Sequence, residues 1–322
     1  MHSPEELLAL YEQKFNSSNF NESPSALYDP VKHIMSIKGK RIRPLLLMMS
    51  CDLFGGSVAE ALNPAFALEV FHNFTLVHDD IMDNADIRRG IPTVHKKFGV
   101  NSGILAGDVM LAYAYKYLTD IPVVHIPELL RIFNQTAIEI FEGQQLDMDF
   151  EKRTNVAETE YLKMIEYKTS VLLGCALQMG AVLAGADQEN QKRIYDFGLN
   201  LGLAFQIKDD YLDAFGDGEK VGKKIGGDIL QNKKTYLLIT ALQAAKGAQL
   251  DELQALLNNT NEEEKIAGVK QLFETLEVKT ITENRMNQLY DKAIRSLQSV
   301  KVEAPRKELL LKLARAVHER DF

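Results

Sequence analysis

Phe205-Gln206-Ile207-Lys208-Asp209-Asp210-Tyr211-Leu212-Asp213 is the stretch on which the reading of the fold turns. Gln206, Asp209, Asp210 and Asp213 fall at i, i+3, i+4 and i+7, one face of an α-helix, while Phe205, Ile207 and Leu212 point elsewhere. A polar stripe in so apolar a neighbourhood predicts a helix whose acidic face lines a cavity. The same DDxxD pattern occurs upstream in Asp79-Asp80-Ile81-Met82-Asp83. There His72, Asp79 and Asp83 share a stripe, with Phe71, Phe74, Leu76 and Val77 packing beside it. Carboxylates one turn apart repel unless solvent or a cation relieves them, and paired hard oxygen ligands suit Mg²⁺. One such cluster reads as a solvated acidic face. Two read as facing halves of one metal site in the core of a helical bundle.

The rest of the chain agrees with helices. Its 322 residues hold only 9 prolines and 20 glycines, and apolar residues recur at helical spacing with almost no period-2 alternation. Ser3 with Glu6 and Thr260 with Glu263 have capping-box spacing. Breaks are expected near Asn21 to Pro24, Gly55 to Pro64, Arg89 to Pro92, Thr119 to Pro127, Glu151 to Glu158, Gly185 to Glu189, Gly216 to Gly227 and Asn258 to Glu263. Connections this short predict a single all-α domain, residues 1–322, folded as an antiparallel bundle. Hydrophobic residues make up 46% and charged residues 25%, the balance of an ordinary globular protein. No apolar run reaches the roughly 20 residues of a membrane span, and Met1 to Glu6 does not begin a secretory signal, so a cytoplasmic protein is expected. Cys51 and Cys175 lie in apolar surroundings and read as buried thiols. A net charge of −8 argues against nucleic-acid binding, so any anionic ligand must meet a local group of cations.

Such groups are present. Arg88 and Arg89 follow the first aspartate cluster, ahead of Gly90 and Pro92. Lys40, Arg41 and Arg43 lie between Gly39 and Pro44, the pattern of a fixed loop-to-helix entry that can hold a phosphate. Lys168 with Thr169 sits at the polar edge of an apolar helix, and Lys223, Lys224, Lys233 and Lys234 follow the second cluster. Other chemistries find no support. The Gly216 to Lys223 segment has the wrong glycine spacing for a phosphate loop, and neither HExxH nor GxSxG occurs. On spacing alone His72 is equally a buried core histidine and a ligand.

Taken together, these motifs make the chain resemble the trans-prenyl diphosphate synthases over nearly its whole length. The resemblance rests on Gly39 to Pro44, Leu76 to Asp83 with Arg88-Arg89-Gly90, Gly107-Asp108, Lys168-Thr169, Phe205 to Asp213 and Gly226-Gly227-Asp228. Terpene cyclases share an aspartate-rich first cluster but lack the second and the Gly-Lys-Arg segment. The resemblance implies the isoprenoid synthase fold with a deep central cavity, and a homodimer. It implies that Asp79, Asp80, Asp83, Asp209 and Asp210 bind three Mg²⁺ on an allylic diphosphate, helped by Arg88, Lys168, Lys223 and Lys233. Asp213 belongs to the same metal site, as an outer member. Lys40, Arg43, His72 and Arg89 would hold isopentenyl diphosphate without metal, and Gln206 and Thr169 would line the reaction centre. Closure of the loops around Lys223 and Lys233 would exclude water.

In that family the residues before the first cluster floor the pocket for the prenyl tail, here Phe71, Phe74 and Thr75. One aromatic at Phe74 beside the small Thr75 resembles the short-chain pattern, C20 geranylgeranyl diphosphate ahead of C15 farnesyl diphosphate. An ideal helical wheel turns Phe74 off the aspartate stripe, so this role comes from the resemblance alone. The competing expectation is a non-catalytic subunit that modulates an active synthase. Such subunits lose aspartates from one cluster, whereas both clusters are complete here.

Overall fold

The computed structural model describes residues 1–18, 20–216 and 226–319. Along it run α1 (Pro4–Ser17), α2 (Ser25–Ser36), α3 (Ile42–Leu53), α4 (Val58–Met82), α5 (Val94–Phe98), α6 (Val100–Thr119), α7 (Ile126–Glu151), α8 (Glu158–Ile165), α9 (Val171–Leu183) and α10 (Gln188–Phe215). They are followed by α11 (Gly227–Leu230), α12 (Tyr236–Ala244), α13 (Ala248–Leu257), α14 (Glu262–Thr275), α15 (Val278–Ser299) and α16 (Ala304–His318). A 3₁₀ turn, Val123–His125, leads into α7, and a π-helical turn, Glu166–Ser170, joins α8 to α9. Among the described residues the all-α expectation holds but for one hairpin, β1 (Ile87–Arg88) and β2 (Ile91–Pro92), in which Ile87 pairs with Pro92 and Arg88 with Ile91. None of the described helices is long and apolar enough to cross a membrane.

The chain packs as two compact units: Met1–Gln135, Cys175–Tyr195 and Lys301–Leu309 in the first, and Thr136–Gly174, Asp196–Val300 and the chain from Leu310 in the second. In the first, α4 is the central element, starting at the Ser57 cap and packing against α3 and α6. Ala61, Ala65, Phe66, Leu68, Val70 and Phe71 are all fully buried, and a helix apolar all round belongs in a core. The Phe66 ring meets Phe15 at 6.0 Å and Tyr117 at 4.7 Å between centroids. In the second unit Leu203, Ala204 and Ile207 of α10 pack with Tyr161, Met164 and Ile165 of α8 and with Tyr236, Met286 and Leu289. Ala214, Ile229, Leu237, Leu272 and Phe273 form a further cluster.

Local capping signals set several helix starts. Ser3 accepts from Glu6 N at 3.2 Å and Glu6 accepts from Ser3 N at 2.7 Å, the expected capping box. The second box is corrected: α14 is capped by Asn261, which accepts from Glu264 N at 3.3 Å, and not by Thr260. Asparagine is the stronger cap, and it shifts the start by one residue. The break at Gly55 ends at Ser57, and Pro64 lies inside α4, its missing N–H leaving the carbonyl of the exposed Glu60 to solvent. The break expected near Arg89 to Pro92 is a β-hairpin. Its turn holds Arg89 at φ 52° and Gly90 at φ 77°, and positive φ at both central residues is the two-residue hairpin geometry, too short for periodicity to register.

The contact of α9 with α3 depends on a missing side chain. A Cβ on Gly180 would lie 2.2 Å from the Leu47 carbonyl oxygen and 2.8 Å from Cys51 N, both backbone atoms, and Ser50 Oγ donates to the Leu177 carbonyl at 2.6 Å alongside. Gly180→Ala must therefore push two helices apart. We expect a loss of roughly 1–3 kcal/mol, seen as a lower denaturant midpoint at unchanged slope.

Candidate active site

The first aspartate cluster occupies the last turn of α4, with Asp83 as its cap. Asp83 is exposed and Asp79 half-buried, and the Asp83 N–H donates to the Asp79 carbonyl at 2.8 Å, so the two carboxylates stand one turn apart. The carboxyl end of a helix carries partial negative charge, which adds to their repulsion. Asp80 points differently. It is 1% exposed and takes a two-pronged contact from Arg88, whose Nε donates at 2.9 Å and Nη2 at 2.7 Å. The hairpin makes this pair by turning the chain back on α4. Thr93 Oγ1 closes the loop by donating to the Ala85 carbonyl at 2.7 Å.

The expected isopentenyl site assembles in the same unit. Arg43 Nη1 donates to His72 Nε2 at 3.1 Å. A guanidinium has no acceptor, so His72 is neutral with its proton on Nδ1, leaving that N–H for a ligand. Desolvation first, then the Arg43 charge, holds the His72 pKa well below its ordinary value, and desolvation lowers Arg43 to about 10. Arg89 Nη1 donates to the Lys38 carbonyl at 3.0 Å, passing so close that a Cβ on Gly39 would stand 2.7 Å from it. Lys40 is exposed at the same loop. One helical turn on from Phe71, Phe74 is buried, its ring 5.6 Å from Phe71 and 4.9 Å from His78, while Thr75 donates to the His72 carbonyl at 2.8 Å.

The second cluster ends α10 in the other unit. Asp209 is exposed. Asp210 Oδ2 accepts from the Tyr161 hydroxyl and, at 3.0 Å, from Tyr236 N. Desolvation nevertheless pushes its carboxyl up to about 7, against those two hydrogen bonds and the Lys233 charge. Asp213 turns to the backbone, accepting from Asp228 N at 3.0 Å and fixing the Gly226-Gly227-Asp228 turn. Gln206 is half-buried on the same helix. Lys168 and Thr169 sit within the π turn, a form that recurs at functional sites. Lys168 Nζ donates to Asp147 at 2.5 Å, and Gly143 of α7 admits the turn's backbone, since a Cβ there would meet Lys168 N at 2.3 Å. Lys233 is exposed, with Asp228 at 3.8 Å. Lys223 and Lys224 lie outside the described residues.

Three supports carried no sequence signal. Tyr161, Asp147 and Glu69 hold Asp210, Lys168 and Arg41 respectively, each from a distant element. Among the described residues no three acidic, histidine or cysteine side chains converge into a ready metal cage.

The neutral His72 predicts a pH effect. Its folded pKa lies below the unfolded value near 6.5, so the unfolded chain takes up the proton first as pH falls. Stability is full above pH 6.5 and declines as pH drops from there towards the folded pKa. The melting temperature of His72→Asn should fall less between pH 7 and pH 5 than that of the wild type; equal slopes would contradict this.

Comparisons with known proteins establish the family. Residues 24–276 match the family model for polyprenyl synthetase. The geranylgeranyl pyrophosphate synthase of Geoglobus acetivorans is 38% identical over 314 residues, covering 97% of this chain and 96% of that protein. A geranylfarnesyl diphosphate synthase of Natronomonas pharaonis is 37% identical over 238 residues, 68% of this chain and 70% of its own. A crystal structure of a geranylgeranyl pyrophosphate synthase superposes with a TM-score of 0.94 at 44% identity, covering 100% of both chains. With its aspartate and arginine motifs in place on the helices described above, this chain belongs to the polyprenyl synthetase family.

Proposed function

We propose that this short-chain trans-prenyltransferase joins isopentenyl diphosphate head-to-tail to dimethylallyl, geranyl or farnesyl diphosphate and ends at the C20 geranylgeranyl product. The observation that carries the reading is that each complete DDxxD cluster holds carboxylates one turn apart, Asp79 with Asp83 at the carboxyl end of α4 and Asp209 with Asp213 on α10, where like charges repel unless a cation relieves them. The donor set fits magnesium: Asp79 and Asp83 are accessible a turn apart, and Asp210 has one oxygen already oriented by Tyr161 and Tyr236. Bound magnesium supplies positive charge against the negative charge that grows on a departing diphosphate.

The side chains do the rest. Asp79, Asp83, Asp209 and Asp210 bind the magnesium, with Asp80 and Arg88 locked together behind the first pair; Asp213 shapes the turn that leads to Asp228. Lys168 and Lys233 add charge at the allylic diphosphate. Thr169 and Gln206 present oxygen dipoles to the allylic carbocation. Lys40, Arg43 and Arg89, with the Nδ1–H of His72, hold the diphosphate of isopentenyl diphosphate so that its double bond attacks the cation. Among the described residues of the motifs none is an obvious base, and as in the family's mechanism the proton lost in the last step goes to the released diphosphate. Phe74 limits tail growth. We also propose that the enzyme acts as a homodimer, with the exposed Ile104 and Tyr115, three turns apart on α6, in the contact together with Leu105.

Incubating the purified chain with Mg²⁺, isopentenyl diphosphate and each allylic diphosphate tests both activity and starter choice, and absence of turnover would favour a modulatory subunit instead. In the same assay Asp79→Ala and Asp209→Ala should each lose at least about tenfold in kcat, since stabilising charge on the leaving group contributes several kcal/mol. Phe74→Ala should move the extracted prenyl alcohols to longer chains on chromatography; an unchanged profile would remove Phe74 as the floor.

A further inference from the structure

Arg41 stands in the middle of a basic run, between the exposed Lys40 and the half-buried Arg43, yet it is itself 7% exposed. Its Nη1 donates to Glu69 Oε1 at 2.6 Å, and Glu69 is 4% exposed. Its Nη2 reaches the Met35 carbonyl at 3.4 Å, and its guanidinium lies 4.4 Å from the Phe15 ring centroid. The charge of Arg41 is thus neutralised inside the protein, out of reach of any ligand. Its backbone is unusual as well: φ 50° and ψ 35°, the left-handed region, at the entry to α3. Glycine or asparagine adopts that conformation more readily. If the bend alone were needed, arginine would be a poor choice, so the side chain is what the position requires.

Glu69 sits three residues before His72 on α4, and the two mark successive points on one face of that helix. Glu69 takes Arg41 and His72 takes Arg43, so the entry to α3 is fastened to α4 by two rungs. Arg89 fastens the same loop on its other side through the Lys38 carbonyl. The ionisable groups around the first rung are Glu12, 3.9 Å from Arg41 Nε, and the buried hydroxyl of Tyr11, whose pKa is raised by burial first and then by the Glu69 charge. We propose that the Arg41–Glu69 pair is the positioning device of the isopentenyl diphosphate site: it binds no ligand, but sets the bend that aims Lys40 and Arg43. This rests on the reading of Lys40, Arg43, His72 and Arg89 as that site.

The test is a split between substrates. Glu69→Gln keeps the shape and one hydrogen bond but removes the counter-charge. It should raise the KM for isopentenyl diphosphate about tenfold or more, because small misplacements of binding groups are costly, while the KM for the allylic diphosphate stays within about twofold. The paired variant Arg41→Met with Glu69→Leu removes both charges and leaves no buried ion unmatched, so it should keep the wild-type melting temperature to within about a few degrees. It should still show the raised isopentenyl KM, and calorimetric titration with isopentenyl diphosphate should show the same weakening. A paired variant with wild-type isopentenyl KM would overturn the proposal, as would Glu69→Gln raising both KM values equally. Lys40→Ala and Arg43→Ala serve as references: if neither weakens isopentenyl diphosphate binding, the site assignment itself fails, independently of the anchor.

Discussion

Carboxylates one turn apart on a helix repel one another, and both aspartate clusters of this chain are so placed, the first at the carboxyl end of α4 and the second on the last two turns of α10. Nothing in folding rewards that placement. The structure relieves only part of it: Arg88 neutralises Asp80, two hydrogen bonds orient Asp210, and backbone N–H satisfies Asp213. Asp79, Asp83 and Asp209 remain accessible or half-buried, and Asp210 stays harder to ionise than an ordinary carboxylate. As proposed, bound magnesium would neutralise these carboxylates.

The basic cluster meets the opposite problem with the same economy. Bringing Arg41, Arg43, Arg88 and Arg89 near one histidine would be prohibitive if all were equivalent charges in water-poor surroundings. They are not equivalent. Arg41 is matched by Glu69 and Arg88 by Asp80, Arg89 is tied to a carbonyl, and His72 gives up its charge altogether. Arg43 and Lys40 then keep enough positive character to attract an anion. A chain of net charge −8 thereby presents a local cationic surface, and each neutralised arginine is also a strut for its neighbour.

How the helices end and turn was partly local and partly not. The Ser3–Glu6 box read correctly because donor and acceptor lie within one turn. The start of α14 was misplaced by one residue because Thr260 and Asn261 compete for the same role and only geometry chooses. The hairpin after α4 and the π turn at Lys168 have no periodic signature: each is a single turn long, and each is stabilised by partners elsewhere in its unit, Asp80 for the hairpin arginine and Asp147 with Gly143 for the π turn.

Residue order by itself determined the helical class, the two acidic stripes and the set of basic residues, because helix periodicity and one-turn spacing are properties of neighbours along the chain. The tertiary structure alone decided which member of each run does what. Asp79, Asp80 and Asp83 are alike in sequence but differ in partner and exposure, and so do Lys40, Arg41 and Arg43. The reason is that burial and counter-charge come from residues tens of positions away, Glu69, His72, Tyr161 and Tyr236 among them. A local motif can specify that a group of charges exists, but only packing specifies which of them is neutralised and which is left for a ligand.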